Sequence, residues 1–476
     1  MIFDRLEEFG GAAALMEGSE RVWTFEELTR QADQVAGLMQ KRTVLFLLCR
    51  NQSSAVIAYV GALRHRVVPL LLRADIPENL LRYLSDVYRP QYLWMEKRER
   101  PLGKLLYSDG TYQLLETEYP AYPIHPDLAV LLSTSGSTGS PKFVRQSYRN
   151  IMANTSSIVE YLSLCPEDRA ITTLPMYYTY GLSIIQTQLA CGGSLVLTEA
   201  SILERRFWEL LNTQKITNFG GVPYTYEMLK RLRFSKMDLP YLRFITQAGG
   251  KLASKLSEEF AVICEEKGIS FITMYGACEA TARMSYLPWK YAKNKAGSIG
   301  IAIPGGRFAI VDAMGNPQTV PGAEGELIYY GENVMLGYAE SKDDLVKGDE
   351  LHGVLATGDI ARRDEDGFYY ITGRRKRFLK LFGNRVSLDA VEAYLKSQGY
   401  LSCACAGEDD KLIVYVAEDV NPKALCMQLS RFTRLHTSAF SVVRIHEIPR
   451  NDAGKILYDK LKEMQNESAG RNTISQ

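Results

Sequence analysis

An α/β fold, with a large N-terminal domain of mostly parallel sheets, a β-rich subdomain within it and a small C-terminal α+β domain, is predicted by three features of the sequence. First, short apolar runs alternate with helical-period segments: 128–132 then 147–162, 242–246 then 252–266, and then 270–274. That alternation implies βαβ crossovers, with helices covering the faces of a parallel sheet. Second, Gly297, Gly300, Pro304, Gly305 and Gly306 break the pattern, and shorter strand-like runs follow at 308–311 and 326–330. Third, a densely basic run, 370–380, leads into a helix–strand–strand–helix–strand pattern from about residue 388 to 448. A boundary is expected near Lys376, dividing residues 1–375 from 376–476.

The composition suits such a chain. Its 476 residues are 46% hydrophobic and 23% charged, which is ordinary globular usage, and the length allows more than one folding unit at roughly 100–200 residues each. The net charge of +1 provides no broad field for nucleic acid or an anionic membrane, so any anion must be bound locally. The first residues are neither basic nor apolar, and no apolar run approaches the ~18 residues of a spanning helix; a soluble, cytoplasmic protein is expected. Eight scattered cysteines without Cys-x-x-Cys read as reduced thiols, and five histidines without His-Glu-x-x-His argue against a zinc centre.

Chemistry concentrates where predicted strands end. Ser133-Thr134-Ser135-Gly136-Ser137-Thr138-Gly139-Ser140-Pro141-Lys142 follows the 129–132 run directly. Gly136 and Gly139 let backbone N–H groups converge on an anion, the hydroxyls of Ser135, Ser137 and Thr138 add neutral donors, and Lys142 adds charge, which suits a polyphosphate. The Gly-x-x-x-x-Gly-Lys-Ser/Thr loop is excluded, because only two residues separate the glycines and Pro141 opposes a helix start. Tyr275-Gly276-Ala277-Cys278-Glu279 also ends a strand. A carboxylate at that edge repels phosphate unless a divalent cation lies between them, which makes Glu279 a candidate Mg²⁺ ligand. Thr357-Gly358-Asp359 places a carboxylate after a tight turn, suited to a ribose diol. Near the C-terminus, Asn451-Asp452-Ala453-Gly454-Lys455 presents a lysine on a glycine turn.

Together these segments resemble the adenylate-forming superfamily of acyl-CoA and aryl-CoA synthetases, peptide-synthetase adenylation domains and luciferases. The resemblance spans most of the chain. Its signatures occur in family order: the Ser/Thr/Gly loop, Leu174-Pro175-Met176-Tyr177-Tyr178, Ala248-Gly249-Gly250-Lys251-Leu252, the Tyr275 segment, Gly325-Glu326-Leu327 with Gly337-Tyr338, Thr357-Gly358-Asp359, Gly373-Arg374 with Lys380 and Gly383, and Gly454-Lys455. The resemblance implies that residues Thr134 to Lys142 hold the β- and γ-phosphates of ATP. It further implies that Gly249, Gly250 and Tyr275 enclose adenine, that Glu279 holds Mg²⁺ and that Asp359 with Arg374 takes the ribose. Lys455 becomes the catalytic cation: as a carboxylate attacks the α-phosphorus two anions are forced together, and an ammonium between them relieves that repulsion most in the transition state. The implied products are acyl-AMP and pyrophosphate, followed by thioester formation. The resemblance also makes the C-terminal domain mobile, pivoting at Lys376.

Three positions depart from the family pattern. Cys278 stands where a threonine usually donates to the α-phosphate, and a thiol is a weaker donor. Tyr178 replaces a frequent histidine. Thr179 replaces the aspartate that pairs with an amino-acid substrate's amine, and a buried unpaired ammonium is costly, so α-amino acids are disfavoured. Tyr178, Asn218, Phe219, Gly220, Gly221, Tyr224 and Ala277 are the candidate acid pocket. The thiol acceptor is expected to be CoA; the alternative is the phosphopantetheine arm of a carrier protein, and a silent nucleotide-binding homologue is the rival from another class.

Overall fold

The structure, a computed structural model, describes residues 3–18, 21–98, 102–133, 142–375, 377–451, 454, 456–461 and 463–464. Among them the strands form nine-, eight- and four-stranded sheets, a two-stranded hairpin and a three-stranded sheet. Val44–Cys49 is central to the eight-stranded sheet, parallel to Val68–Arg73 and Tyr92–Glu96. Its side chains alternate between two cores: Leu45, Leu47 and Cys49 enter one, Val44, Phe46 and Leu48 the other. Successive strand residues face opposite sides, so both faces are covered. The nine-stranded sheet behaves alike, with Leu15, Ala170 and Leu195 joining the first core and Met16, Ile171 and Val196 a third.

The first core therefore lies between the two large sheets and contains the helices Ser53–Arg64 and Thr179–Ala190. Helix Glu78–Tyr88 covers the outer face of one sheet, and Arg205–Thr213, Pro223–Arg231 and Ser254–Glu266 cover the other. Such helices over parallel strands are what the apolar alternation predicted. Helix Tyr148–Leu162 begins at Ser147, whose hydroxyl accepts from Asn150 N–H while the Asn150 side chain accepts from Ser147 N–H, closing two of the orphan donors at a helix start. Among the strands not anticipated, one borders the glycine loop. Phe143–Ser147 pairs antiparallel with Leu128–Ser133, and all five of its residues are buried although three are polar, so no apolar run announces it.

In the nine-stranded sheet Asn218–Gly221, Phe244–Gln247 and Ser270–Tyr275 run parallel as neighbours. Their carboxyl ends, and the loops that follow, share one edge. The expected β-rich unit is the antiparallel sheet of Arg307–Val311, Glu324–Tyr330, Val354–Arg363 and Tyr369–Arg374. After it come Leu388–Ser397, Cys403–Glu408, Lys411–Val416, Pro422–Thr433 and Phe440–Arg444, in the expected order. Two cores in this region draw their buried residues only from 379–461. The basic run is ordered by carboxylates: Arg375 reaches Glu326 at 3.0 Å, and Arg377 reaches Asp389 and Glu392 at 2.6 Å each. All eight cysteines are free, and no helix among the described residues is long and apolar enough to cross a membrane.

Candidate active site

Thr134, Ser135, Gly136, Ser137, Thr138 and Gly139 lie outside the described residues, as do Lys376 and Lys455. Both flanks of the glycine loop are described. Lys142 precedes the strand Phe143–Ser147, which also pairs with Gly337–Ala339. Arg145, 0% exposed, locks that pairing. Its guanidinium donates to the carbonyls of Tyr338 at 3.0 Å and Gly348 at 3.3 Å and pairs with Glu350. Tyr338 is thereby held beside Lys142, whose ammonium lies 4.0 Å from the ring centroid. The Tyr338 hydroxyl donates to Glu279 Oε1 at 2.8 Å, and Gln146 Nε2 donates to the Cys278 carbonyl at 3.1 Å. Lys142, Cys278 and Glu279 thus meet at one sheet edge.

Tyr275 closes its strand, and a Cβ on Gly276 would fall 1.8 Å from the Ala282 carbonyl oxygen. Only glycine permits that approach, which folds the chain back beneath the strand. The Tyr275 hydroxyl donates to Asp359 Oδ2 at 2.5 Å, and Arg374 Nε donates to Oδ1 at 3.1 Å from the paired strand. Asp359 lies within Val354–Arg363 rather than on the turn expected for it; Gly358, at φ +71°, supplies the bend inside the strand. Burial raises the Asp359 carboxyl above its ordinary 3.8, opposed by Arg374 and Tyr275. Burial and the neighbouring Asp359 push the Tyr275 hydroxyl far up, keeping it a donor.

Gly249 and Gly250 lie at the next strand end. Space for a side chain at Gly249 is taken by the Tyr178 hydroxyl, 2.6 Å from an ideal Cβ, and by Val222, 3.1 Å away; Gly250 packs on Pro223. Lys251 donates to the Ile371 carbonyl at 2.8 Å, tying this loop to the Arg374 strand. Tyr275, Gly249, Gly250, Asp359 and Arg374 are therefore adjoining.

The acid-pocket candidates separate. Gly220 faces Tyr180, whose hydroxyl would sit 2.8 Å from a Cβ there, and Gly221 faces Thr225 and Tyr226. Asn218 and Gly220 line a small cavity with Thr246, Met274 and Arg283. Phe219 points the opposite way, as strand alternation requires, into the core beside Phe207. Tyr224 is 39% exposed and faces the C-terminal segment, where Arg450 lies 5.6 Å from its ring. Ala277 packs with Tyr275 against the β-rich unit. Gly454, next in sequence to Lys455, sets its Cα against this wall: a Cβ there would meet Val222 at 2.9 Å. Tyr180, Thr246, Val222 and Arg283 stand in no recognisable spacing, so nothing in the sequence marks them, and Gly337-Tyr338 by itself gives no sign of the contacts that Tyr338 makes.

Among the described residues no three His, Cys, Asp or Glu side chains gather as a metal centre. Glu279 with phosphate oxygens is a donor set that suits Mg²⁺, which takes one or two carboxylates plus substrate oxygens, and not zinc.

Residues 2–339 match the family described as AMP-binding enzyme. The chain is 30% identical to the sulfoacetate–CoA ligase of Cupriavidus necator, over 72% of this chain and 68% of that protein. It is 26% identical to the 2-succinylbenzoate–CoA ligase of Listeria monocytogenes, over 95% and 96%. Among solved structures, o-succinylbenzoate CoA synthetase from Bacillus subtilis, in complex with its acyl-adenylate intermediate, shares the fold with a TM-score of 0.79 at 22% identity, covering 97% of each chain.

Proposed function

The chain belongs to the AMP-binding enzyme family, and from that membership we propose that it activates an organic acid with ATP, releases pyrophosphate and passes the acyl group from acyl-AMP to the thiol of CoA. An AMP-forming acid–thiol ligase of the acyl-CoA synthetase type is the enzyme class to which the family and its relatives assign it. The named acids of the similar proteins differ, so no acid is carried over by name.

One observation supports the site most directly. The contacts Lys142–Tyr338–Glu279 and Tyr275–Asp359–Arg374 join strands of three sheets at one edge, where ligands of α/β sheets bind. In this reading Lys142 and residues 134–139 take the terminal phosphates, and Asp359 with Arg374 takes the ribose hydroxyls. Asp359 can accept further hydrogen bonds while holding Tyr275 and Arg374, because an ionised carboxylate has about four acceptor sites. Glu279 holds Mg²⁺, which when bound neutralises phosphate charge. Lys455 serves the transition state from the loop whose Gly454 rests on Val222. Tyr178, beside Gly249, separates the nucleotide from the acid pocket.

Residues 1–375 and 376–476 form the two domains of this reading, hinged at Lys376. The separate cores of residues 379–461 support the division. The test is acid-dependent exchange of labelled pyrophosphate into ATP, followed by addition of CoA or a holo carrier protein. Exchange followed by acyl-CoA formation is expected. Intact ATP binding with no exchange across a broad acid panel sinks the proposal, and acylation of the carrier alone moves the acceptor to phosphopantetheine.

A further inference from the structure

Arg283 is 3% exposed, and among the described residues no carboxylate pairs with it. Its neighbours are the Tyr180 ring, 4.0 Å from the guanidinium carbon, the Met274 sulfur, 3.3 Å from Nε, and the Tyr161 hydroxyl. A buried ion without a counter-ion is among the costlier arrangements a fold can hold. The guanidinium lines a cavity whose polar wall is Ser183, Thr187, Gln188, Asn218 and Thr246. The hydroxyls of Ser183 and Thr187 already donate to the carbonyls of Tyr180 and Ser183, at 2.7 and 2.9 Å, and the residues of the wall bring no negative charge to the guanidinium.

The backbone is forced to deliver this side chain. Thr281 and Ala282, immediately before it, hold φ of +54° and +111°, left-handed values that are uncommon for residues with a Cβ. Asn333 Nδ2 clamps the bend by donating to the carbonyls of Ala280 and Arg283, both at 2.8 Å, and Asn154 Nδ2 donates to the Arg283 carbonyl at 2.9 Å.

We infer that Arg283 forms the floor of the acid pocket and reads a second anionic group, a carboxylate or sulfonate at the end of the acid remote from the carboxylate that is activated. The inference rests on the acid-activating reading above. Tyr178 stands at Gly249 on the nucleotide side and Tyr180 at Gly220 on the cavity side, their rings 6.4 Å apart, so the guanidinium lies one ring deeper than the wall that faces the nucleotide. The cavity measures about 20 Å³, room for about one water molecule. A fatty tail does not fit, and the remote group must be compact. Met274, a flexible thioether against the guanidinium, is the side chain best able to yield to it.

The test compares acids matched in length that carry one or two charges: butyrate with succinate, valerate with glutarate, p-toluate with terephthalate. Pyrophosphate exchange is measured beside calorimetric binding of the same acids without turnover. Wild-type protein is expected to favour the two-charge member of at least one pair by about 30-fold or more in both readouts, as a charge-assisted buried hydrogen bond allows. Arg283→Met abolishes that preference and Arg283→Lys retains part of it. Equal or weaker binding of the two-charge acid in every pair, including no binding at all, overturns the inference. So does a preference that survives in Arg283→Met. Should the methionine variant not fold, the wild-type pairs and the lysine variant decide. Arg283-dependent binding without exchange upholds Arg283 and sinks the acid-activating reading. Exchange with one-charge acids alone does the reverse.

Discussion

The Tyr338 hydroxyl donates to the Glu279 carboxylate at 2.8 Å while its ring carries the Lys142 ammonium 4.0 Å from the centroid. One side chain therefore stands between the two opposite charges proposed to handle the phosphates. Tyr338→Phe keeps the ring and deletes the donor that orients Glu279. The Mg²⁺ concentration for half-maximal exchange should rise about 10-fold, the usual scale for losing a group that orients a metal ligand. An unchanged Mg²⁺ midpoint would separate Glu279 from the metal or Tyr338 from Glu279.

Lys455→Ala should lower adenylate formation by about 10²- to 10³-fold, the loss of one preorganised charge in the transition state. Thiolysis of supplied acyl-AMP should survive. Equal loss in both half-reactions, measured by rapid quench, would refute the division of labour between them.

Asp359 sets a pH dependence. Burial raises its carboxyl above 3.8, and only the ionised form can accept from both ribose hydroxyls. The KM for ATP should therefore climb on acidification sooner than for an ordinary aspartate. Stability runs in the opposite direction. The native state takes up this proton more readily than the unfolded chain, so the group's contribution is complete below 3.8 and is lost as pH rises through the raised value. Asp359→Asn should bind ATP weakly at every pH and show no such climb. An ATP KM in wild type that stays flat down to acid unfolding would exclude Asp359 from nucleotide binding.

Gly220→Ala probes the acid pocket without touching the nucleotide side. The added Cβ would lie 2.8 Å from the Tyr180 hydroxyl and 2.9 Å from Ile184 Cδ1, an overpacking cost of about 1 to 3 kcal/mol. The KM for the acid should rise while that for ATP stays level. A parallel rise in both would place Gly220 in general packing.

Much of the architecture was legible because it is written locally. Strands 270–274 and 242–246, the helical segment 147–162 and the C-terminal order of elements were all expected from periodicity, and they stand within a residue or two of those places. Phe143–Ser147 escaped because Arg145, Gln146 and Ser147 are polar yet buried, satisfied by partners such as Leu336 and Tyr338 almost two hundred positions away. The basic run marked a boundary between domains, but nothing in it disclosed that Arg377 pairs with Asp389 and Glu392 and stacks on the Tyr458 ring. Charge along a chain does not disclose which charges the fold will pair.

The same contrast divides the site. Glycines at 249 and 276, the carboxylates at 279 and 359 and the lysine at 142 are recognisable in the linear order, since strand ends, tight turns and residue chemistry depend on near neighbours. That Tyr275 meets Asp359, that Tyr338 bridges Lys142 to Glu279 and that Arg283 turns inward with no counter-ion among the described residues depend on how separate sheets dock. Desolvation and ion pairing act through space, so their outcome exists only once the chain has closed around them.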